Sequence, residues 1–267
     1  TMAYAAEAKI ASELGRILMD GSLYRGAKPV MWSPVEKTAL AEAEIEYEDH
    51  TSITIYARFR VTKAGHAALD GASIIIWTTT PWTMPGNRAV AYGDDIDYAV
   101  IKVSAVADGA LTKVGDCLVL AADLAPAVLA EIGVTDSHET ARLTGRDIVG
   151  TVVAHPMAGK GYDFDVPLLA GSHVTTEQGT GFVHIAPGHG VEDYELAHLK
   201  HGIAVPDTVD EDGVILPHLP HYGGMHVLRD NAKIAEMMAA HDGVIGIGKL
   251  VHSYPHSWRS KAPVIYR

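Results

Sequence analysis

A single cysteine, Cys117, stands in this 267-residue chain. No internal disulfide can form, and no zinc site can rest on thiolates. Long apolar runs are missing too. The run Ile74 to Trp77 gives way to threonines, and no run approaches the roughly 20 apolar residues a membrane helix needs. No segment carries a signal-peptide pattern. Positive charge is scarce, with 21 Lys and Arg against 33 Asp and Glu for a net −12 and a pI near 5.6. Duplex binding leans on clustered cations, so the charge argues against a free-standing duplex-binding protein; any nucleic acid must be held locally or delivered by another module. No His-Glu-x-x-His helix and no Gly-x-Ser-x-Gly elbow appears, and Cys117 sits in an apolar strand with no basic neighbour to activate it. What is present, 48% apolar and 20% charged residues, excludes a disordered tail or a collagen-like repeat and is ample for a core in one large domain or two small ones.

Apolar residues at helical spacing, Ala6, Ile10, Leu14, Ile17 and Leu18, predict an amphipathic helix ended by Asp20-Gly21. Ala41, Ala43, Ile45 and Tyr47 then alternate with Glu42, Glu44, Glu46 and Glu48 as a half-buried strand. A turn at Asp49-His50-Thr51 is expected to lead into a second strand, with Ile53, Ile55, Ala57, Phe59 and Val61 inward and Thr54, Arg58 and Arg60 outward. That hairpin would set Glu against Arg. Further strands are expected over 73–80, 97–103, 116–121, 150–154, 167–174 and 181–186, and helices over 123–132, 190–201 and 229–241. Strands outnumber helices without regular alternation, which points to a mainly β, α+β fold, a β-barrel or curled sheet decorated by helices. Both ends read as cut, with a helix under way at the start and a strand beginning at Pro263-Val264-Ile265-Tyr266-Arg267.

Two runs carry chemistry. Trp77-Thr78-Thr79-Thr80-Pro81-Trp82-Thr83, with Asn87 beyond, ends a strand in hydroxyls and loose backbone N–H groups, suited to polarising a carbonyl or holding a ribose. The plainer reading is that threonine forms strands well and Pro81 stops this one. The second run, Gly179 to Tyr194, brings a strand bearing His184, a Pro-Gly-His-Gly turn and a helix start with Glu192 and Asp193 towards one mouth. Here the plainer readings are a packed strand histidine and an acid set against the helix dipole. His184, His189 and Asp193 also offer a nitrogen and oxygen donor set for a metal, the weaker alternative for want of recognisable ligand spacing.

Together with the ending Tyr254-Pro255-His256-Ser257-Trp258-Arg259-Ser260-Lys261-Ala262-Pro263, these runs resemble the isoleucyl-tRNA synthetase family, in the editing (CP1) domain inserted into its synthetic core. The likeness covers essentially the whole chain. Valyl and leucyl relatives typically read Thr-Thr-Arg-Pro where this chain has Thr78-Thr79-Thr80-Pro81, and the departures are small: Gly86 where many members have alanine, Ser257 where many have cysteine. The resemblance implies a connecting arm over 1–50, an editing β-barrel over 51–250 and a return segment over 251–267. It implies hydrolysis of the ester of mischarged Val-tRNA(Ile), with isoleucine excluded by size. It places Asp193 as counter-ion to the substrate's α-ammonium and Trp77 and His184 along the side-chain sieve. Thr78, Thr79 and Thr80 would stand around the ester and terminal adenosine, with Thr83 and Asn87 shaping the pocket. Water would attack with help from the terminal ribose hydroxyl. No cofactor or metal is implied. The expected partners are the tRNA 3′ end and the rest of the synthetase in cis, without membrane or duplex DNA, in a cytoplasmic monomer. The His-Ile-Gly-His and Lys-Met-Ser-Lys-Ser signatures are absent, so no ligase activity is expected of this polypeptide. The alternative is a non-catalytic β-barrel that binds a small amino acid or aminoacyl-adenosine.

Overall fold

The computed structural model describes residues 2–267. In chain order its elements are α1 (Tyr4–Met19), β1 (Met31–Ser33), β2 (Thr38–Ala39), β3 (Ile45–Lys63), β4 (Ser73–Thr78), β5 (Ala89–Tyr92), β6 (Asp97–Val106), β7 (Cys117–Ala121), α2 (Ala125–Glu131), β8 (Val134–Thr144), β9 (Val152–Ala154), β10 (Asp165–Ala170), β11 (Phe182–Ile185), α3 (Val191–Tyr194), α4 (Asn231–Ala240), β12 (Val244–Ser257) and β13 (Ile265–Tyr266). Among the described residues, ten strands share one mixed sheet in the order β11-β5-β10-β9-β3-β4-β7-β6-β8, with β12 also paired to β3. The sheet curls so that its β11 end returns to β7. The Ala121 N–H donates to the Thr180 carbonyl (2.8 Å), the Tyr98 hydroxyl donates to the Gly181 carbonyl (2.7 Å), and Tyr98 stacks on Phe182. Gly181 makes the closure possible: its φ is +78°, and a Cβ there would lie 2.4 Å from that of Ala121. The mainly β fold with peripheral helices is therefore the one that the strand-rich pattern predicts.

The expected hairpin at Asp49-His50-Thr51 does not form. β3 runs unbroken for 19 residues through those positions, because nothing there supplies the positive φ that a tight hairpin turn requires. Its partner is β12, which pairs from Ser257 opposite Ile45 to Val244 opposite Ala57. Glu46 consequently pairs with Lys261. Arg58 is not outward but buried, gripping Asp116 through two N–H donors at 2.5 and 3.1 Å, while Arg60 pairs with Asp242. β3 is covered on both faces over this stretch. Ile55, Ala57 and Phe59 enter the main core, and Tyr56 joins a second core under α2 with Ile75, Leu118 and Leu120.

Residues 50 and 250 both lie within the β3–β12 ribbon, where His50 faces His252 and Ser52 faces Leu250. The division into arm, barrel and return segment, which we retain as a proposal, thus cuts two paired strands. The ribbon leads to a small sheet in which β1 lies between β2 and β13. α1 is helical as expected, yet buries no residue; Ile10, Leu14, Ile17 and Leu18 all face solvent.

Candidate active site

Strand alternation decides what β4 presents to each side. Ile74 and Ile76 point into the main core, which places Thr78 on that face, whereas Ile75 and Trp77 turn to the second core. The strand ends where Pro81 opens a buried 3₁₀ turn, Pro81–Gly86. At the tip, Thr78 Oγ1 accepts the Thr80 N–H (3.1 Å) and lies 3.1 Å from Thr80 Oγ1. Thr79 remains partly exposed beside them.

From this tip a hydrogen-bonded chain with one direction runs into β11. Asn87 Nδ2 donates to the Ala89 carbonyl (2.8 Å), which orients the amide, and also to His184 Nδ1 (2.8 Å). His184 Nε2 must then carry the proton; it donates to Thr83 Oγ1 (2.9 Å), whose own hydrogen goes to the Thr80 carbonyl (2.9 Å). His184 is buried, and desolvation, with His155 and His189 nearby, pushes its pKa down to about 3. It is neutral, held in one tautomer, and has no ring nitrogen left for a substrate.

A second buried histidine supports the turn from behind. His155 Nδ1 accepts the Met157 N–H (3.1 Å), which leaves the Nε2 proton to donate to the Met84 carbonyl (2.9 Å). The same carbonyl accepts the Asn87 N–H (2.9 Å). The ring lies against Tyr162 at 4.8 Å, and burial lowers its pKa to about 4. His155 therefore fixes the middle of the turn whose ends carry Thr83 and Asn87.

Asp193 is bound differently. It sits in the first turn of α3, which passes directly into a π-helical turn over Glu195–Lys200, and Asp193 Oδ2 accepts the Ala186 N–H (2.7 Å). Ala186 lies two residues beyond His184, roughly 7 Å along an extended chain. No cation pairs with Asp193 among the described residues. Desolvation is the largest influence on its pKa and, opposed by the Ala186 bond and aided by Glu192, raises it to about 7. The side chain nevertheless retains a partial opening to solvent.

Two cavities meet at Thr80. One, of about 270 Å³, is lined by Thr80, Trp82, Thr83, Tyr254, Val264 and Ile265. The other, of about 230 Å³, lies across Thr79, Thr80 and Trp82 against the ribbon and the start of α4. Trp77 lines neither; it borders a separate groove with Tyr56, Glu131 and Gly179. A larger space of about 540 Å³ between residues 26–32 and 205–209 reaches His189 but none of Thr78, Thr79, Thr80 and Thr83.

The chain matches the family described as tRNA synthetases class I (I, L, M and V) over residues 1–258. It belongs to the class I tRNA synthetases. Within that family it aligns along its whole length with isoleucine--tRNA ligases, 48% identical to that of Gluconobacter oxydans and 46% to that of Pelagibacter ubique, and spans 29% of the length of each. That stretch is their CP1 insertion region. The fold agrees. A crystal structure described as GlLeuRS-CP1 superposes with a TM-score of 0.56 at 11% identity, covering 73% of this chain and 98% of that one. The Plasmodium falciparum cytosolic leucyl-tRNA synthetase editing domain gives 0.52 at 10%, covering 72% and 98%.

In this synthetase domain the structure joins Thr78, Thr80, Thr83, Asn87 and His184 in one network, sets Thr79 beside it and anchors Asp193 at the end of the same strand. It does not bring in Trp77. Two residues that the sequence reading passed over do belong. Trp82, buried, forms a wall of both cavities, and its place after Pro81 at the strand end was the available signal. His155 gave none, since a histidine following Val152-Val153-Ala154 reads as the end of a strand. The metal alternative fares poorly on geometry. Both His184 nitrogens are engaged, His189 Nδ1 donates to the Tyr266 carbonyl (2.9 Å), and its Nε2 lies 2.6 Å from Thr208 Oγ1.

Proposed function

We propose that this domain hydrolyses the ester of mischarged Val-tRNA(Ile), admitting valine and excluding isoleucine by bulk. The observation that carries the reading is Asp193, a desolvated carboxylate with one oxygen pinned by a backbone N–H and no cation to pair with. An α-ammonium is the complement such a group lacks. A second sieve is needed because one methylene is worth only about 1–3 kcal/mol in an apolar pocket. The cavity walled by Trp82, Tyr254, Val264 and Ile265 supports an acyl site at the threonine tip, with the ordered His184 as part of the rigid frame.

The likeness to synthetase CP1 regions supports a tRNA 3′ end as the substrate-bearing partner, with the remainder of the synthetase in cis, in a cytoplasmic monomer. In this reading Thr78, Thr79 and Thr80 surround the ester and terminal ribose. The carbonyl oxygen gains charge as water attacks and is steadied by hydroxyls or N–H groups at the tip. No side chain in the network is free to act as base, so the terminal ribose hydroxyl helps orient the water. The same fact favours the one competing reading, a module that binds aminoacyl-adenosine without turning it over. Single-turnover deacylation of Val-tRNA(Ile) and Ile-tRNA(Ile) separates the two. Loss of valine alone, abolished in Asp193→Ala, is expected; loss of both, or an unaffected variant, contradicts the assignment.

A further inference from the structure

The two walls of the proposed acyl cavity are built differently. Trp82 and Thr83 belong to the buried 3₁₀ turn, which the His155 and His184 bonds hold in place. The other wall, Val264, Ile265 and Tyr266, is the short strand β13 and the residue before it. Its ladder to β1 has two registered pairs, Ile265 opposite Trp32 and Tyr266 opposite Met31. One side chain stands between the walls. His189 Nδ1 donates to the Tyr266 carbonyl (2.9 Å), and the Thr208 hydroxyl donates to Nε2 (2.6 Å), so both ring nitrogens are fixed. In an imidazole Nδ1 and Cδ2 lie on opposite edges. The Cδ2 edge rests on Gly86, where an added Cβ would come within 3.0 Å of Cδ2 and 3.3 Å of Nε2. Trp82 meets the ring at 4.9 Å and 76°. The imidazole thus fills the gap from the turn to β13 and itself lines the cavity.

We propose that His189 is a specificity-determining spacer: the breadth of its ring, seated on Gly86 and tied to Tyr266, sets how far β13 stands from Trp82 and so which acyl group fits. The inference rests on the reading of this cavity as the acyl site. Gly86 is the other half of the device. With both nitrogens bonded, the ring cannot slide aside, so a methyl at position 86 is relieved by a shift of a few tenths of an ångström towards β13. Valine and isoleucine differ by one methylene, and a slightly wider cavity is felt mainly by the larger ester. Removing the ring acts in the same direction. A vacated site in a packed interior collapses only in part, so the ring's own volume is added to the cavity that it lines.

The test is single-turnover deacylation of Val-tRNA(Ile) and Ile-tRNA(Ile) by the full chain, by Gly86→Ala, by His189→Ala and by the double variant. The isoleucyl-to-valyl rate ratio should rise several-fold in Gly86→Ala. In His189→Ala it should rise about tenfold or more, the range that one methylene spans. The double variant should show a ratio no higher than His189→Ala, because the methyl then has no ring to push. A merely structural role would slow both esters together and leave the ratio in place, and that result overturns the inference while the deacylase reading stands. A double-variant ratio equal to the product of the two single effects also overturns it, since it would show that the two positions act independently. Gly86→Ala adds one carbon and keeps the test readable if His189→Ala folds poorly. A wild type inert on both esters sinks the deacylase reading. The spacer is then judged by the affinities of amide-linked valyl-adenosine and isoleucyl-adenosine, and an affinity ratio that Gly86→Ala leaves unchanged rejects it.

Discussion

His184 and Asp193 belong to one strand-turn-helix segment, and the same force acts on both with opposite outcomes. Desolvation drives the histidine down to about 3 and the carboxyl up to about 7, each towards its neutral form. The difference lies in their partners. His184 has a donor on one nitrogen and an acceptor on the other, so its neutrality is fully accommodated. Asp193 has one backbone N–H and no counter-charge. One group completes a frame, and the other waits for a cation.

The largest effect should come from removing the waiting group. Asp193→Ala is expected to slow valyl ester hydrolysis by about 10²–10³-fold, the scale of losing one partner of a desolvated charge pair, measured as single-turnover deacylation. Asp193→Asn should do nearly as much, because it keeps the shape and loses the charge.

Next comes the frame. His184→Ala should leave Thr83 and Asn87 without their shared partner, at a cost of about 1–3 kcal/mol in denaturant unfolding for the stranded polar groups. It should also raise isoleucyl ester hydrolysis relative to valyl. An unchanged ratio would show that the ordered ring has no part in selection. His155→Phe keeps a ring against Tyr162 but loses the proton on the Met84 carbonyl. It should cost about 0.5–1.5 kcal/mol and slow hydrolysis several-fold without altering KM. Full activity with reduced stability would reduce His155 to a core residue.

pH separates the two groups without mutation. A carboxylate near pKa 7 must ionise before it can hold an ammonium, so deacylation should rise with pH through about 7, and this limb should vanish in Asp193→Asn. His184, neutral above about 3, should add no inflection. The stability linkage has the same origin. With the folded pKa raised above the ordinary carboxylate value of 3.8, the folded state retains a proton that the unfolded chain has released, so stability falls as pH rises from about 4 to 7. Asn at position 193 should remove that slope. Thermal unfolding across the interval reads it directly.

The smallest effect concerns the two tryptophans flanking the threonines. Trp82→Ala should relax discrimination, whereas Trp77→Ala, on the far face of β4, should leave the valyl-to-isoleucyl ratio within about twofold. A collapse of selectivity in Trp77→Ala would restore that residue to the sieve.

Short-range chemistry was legible in the sequence and pairing at a distance was not. Ser73 to Thr78 and Phe182 to Ile185 announced themselves as strands by composition, and the hydroxyls and acid at their ends were recognisable as chemistry. β12 was hidden because Gly246, Gly248 and Pro255 mask its alternation. Yet among the named strands of the described residues β12 pairs with β3 alone, and such an edge tolerates a residue without an N–H. Without β12, β3 looked like two strands, and its arginines seemed to need the glutamates beside them. Trp77 illustrates the same limit. Its neighbours in sequence are the threonines, but a period of two sends its side chain to the other core. Burial could not be read either, so nothing distinguished the neutral, fully bonded His184 from a histidine free to act.

The central claim is that Asp193 is held ready for an ammonium. Titrating its carboxyl by carbon NMR, with and without an amide-linked valyl-adenosine mimic, tests that claim most directly. The account predicts a midpoint near 7 in the free domain that falls by two or more pH units when the mimic binds, and no fall with a mimic lacking the amine. A midpoint near 4 in the free domain, or one near 7 that the amine-bearing mimic leaves in place, would contradict it.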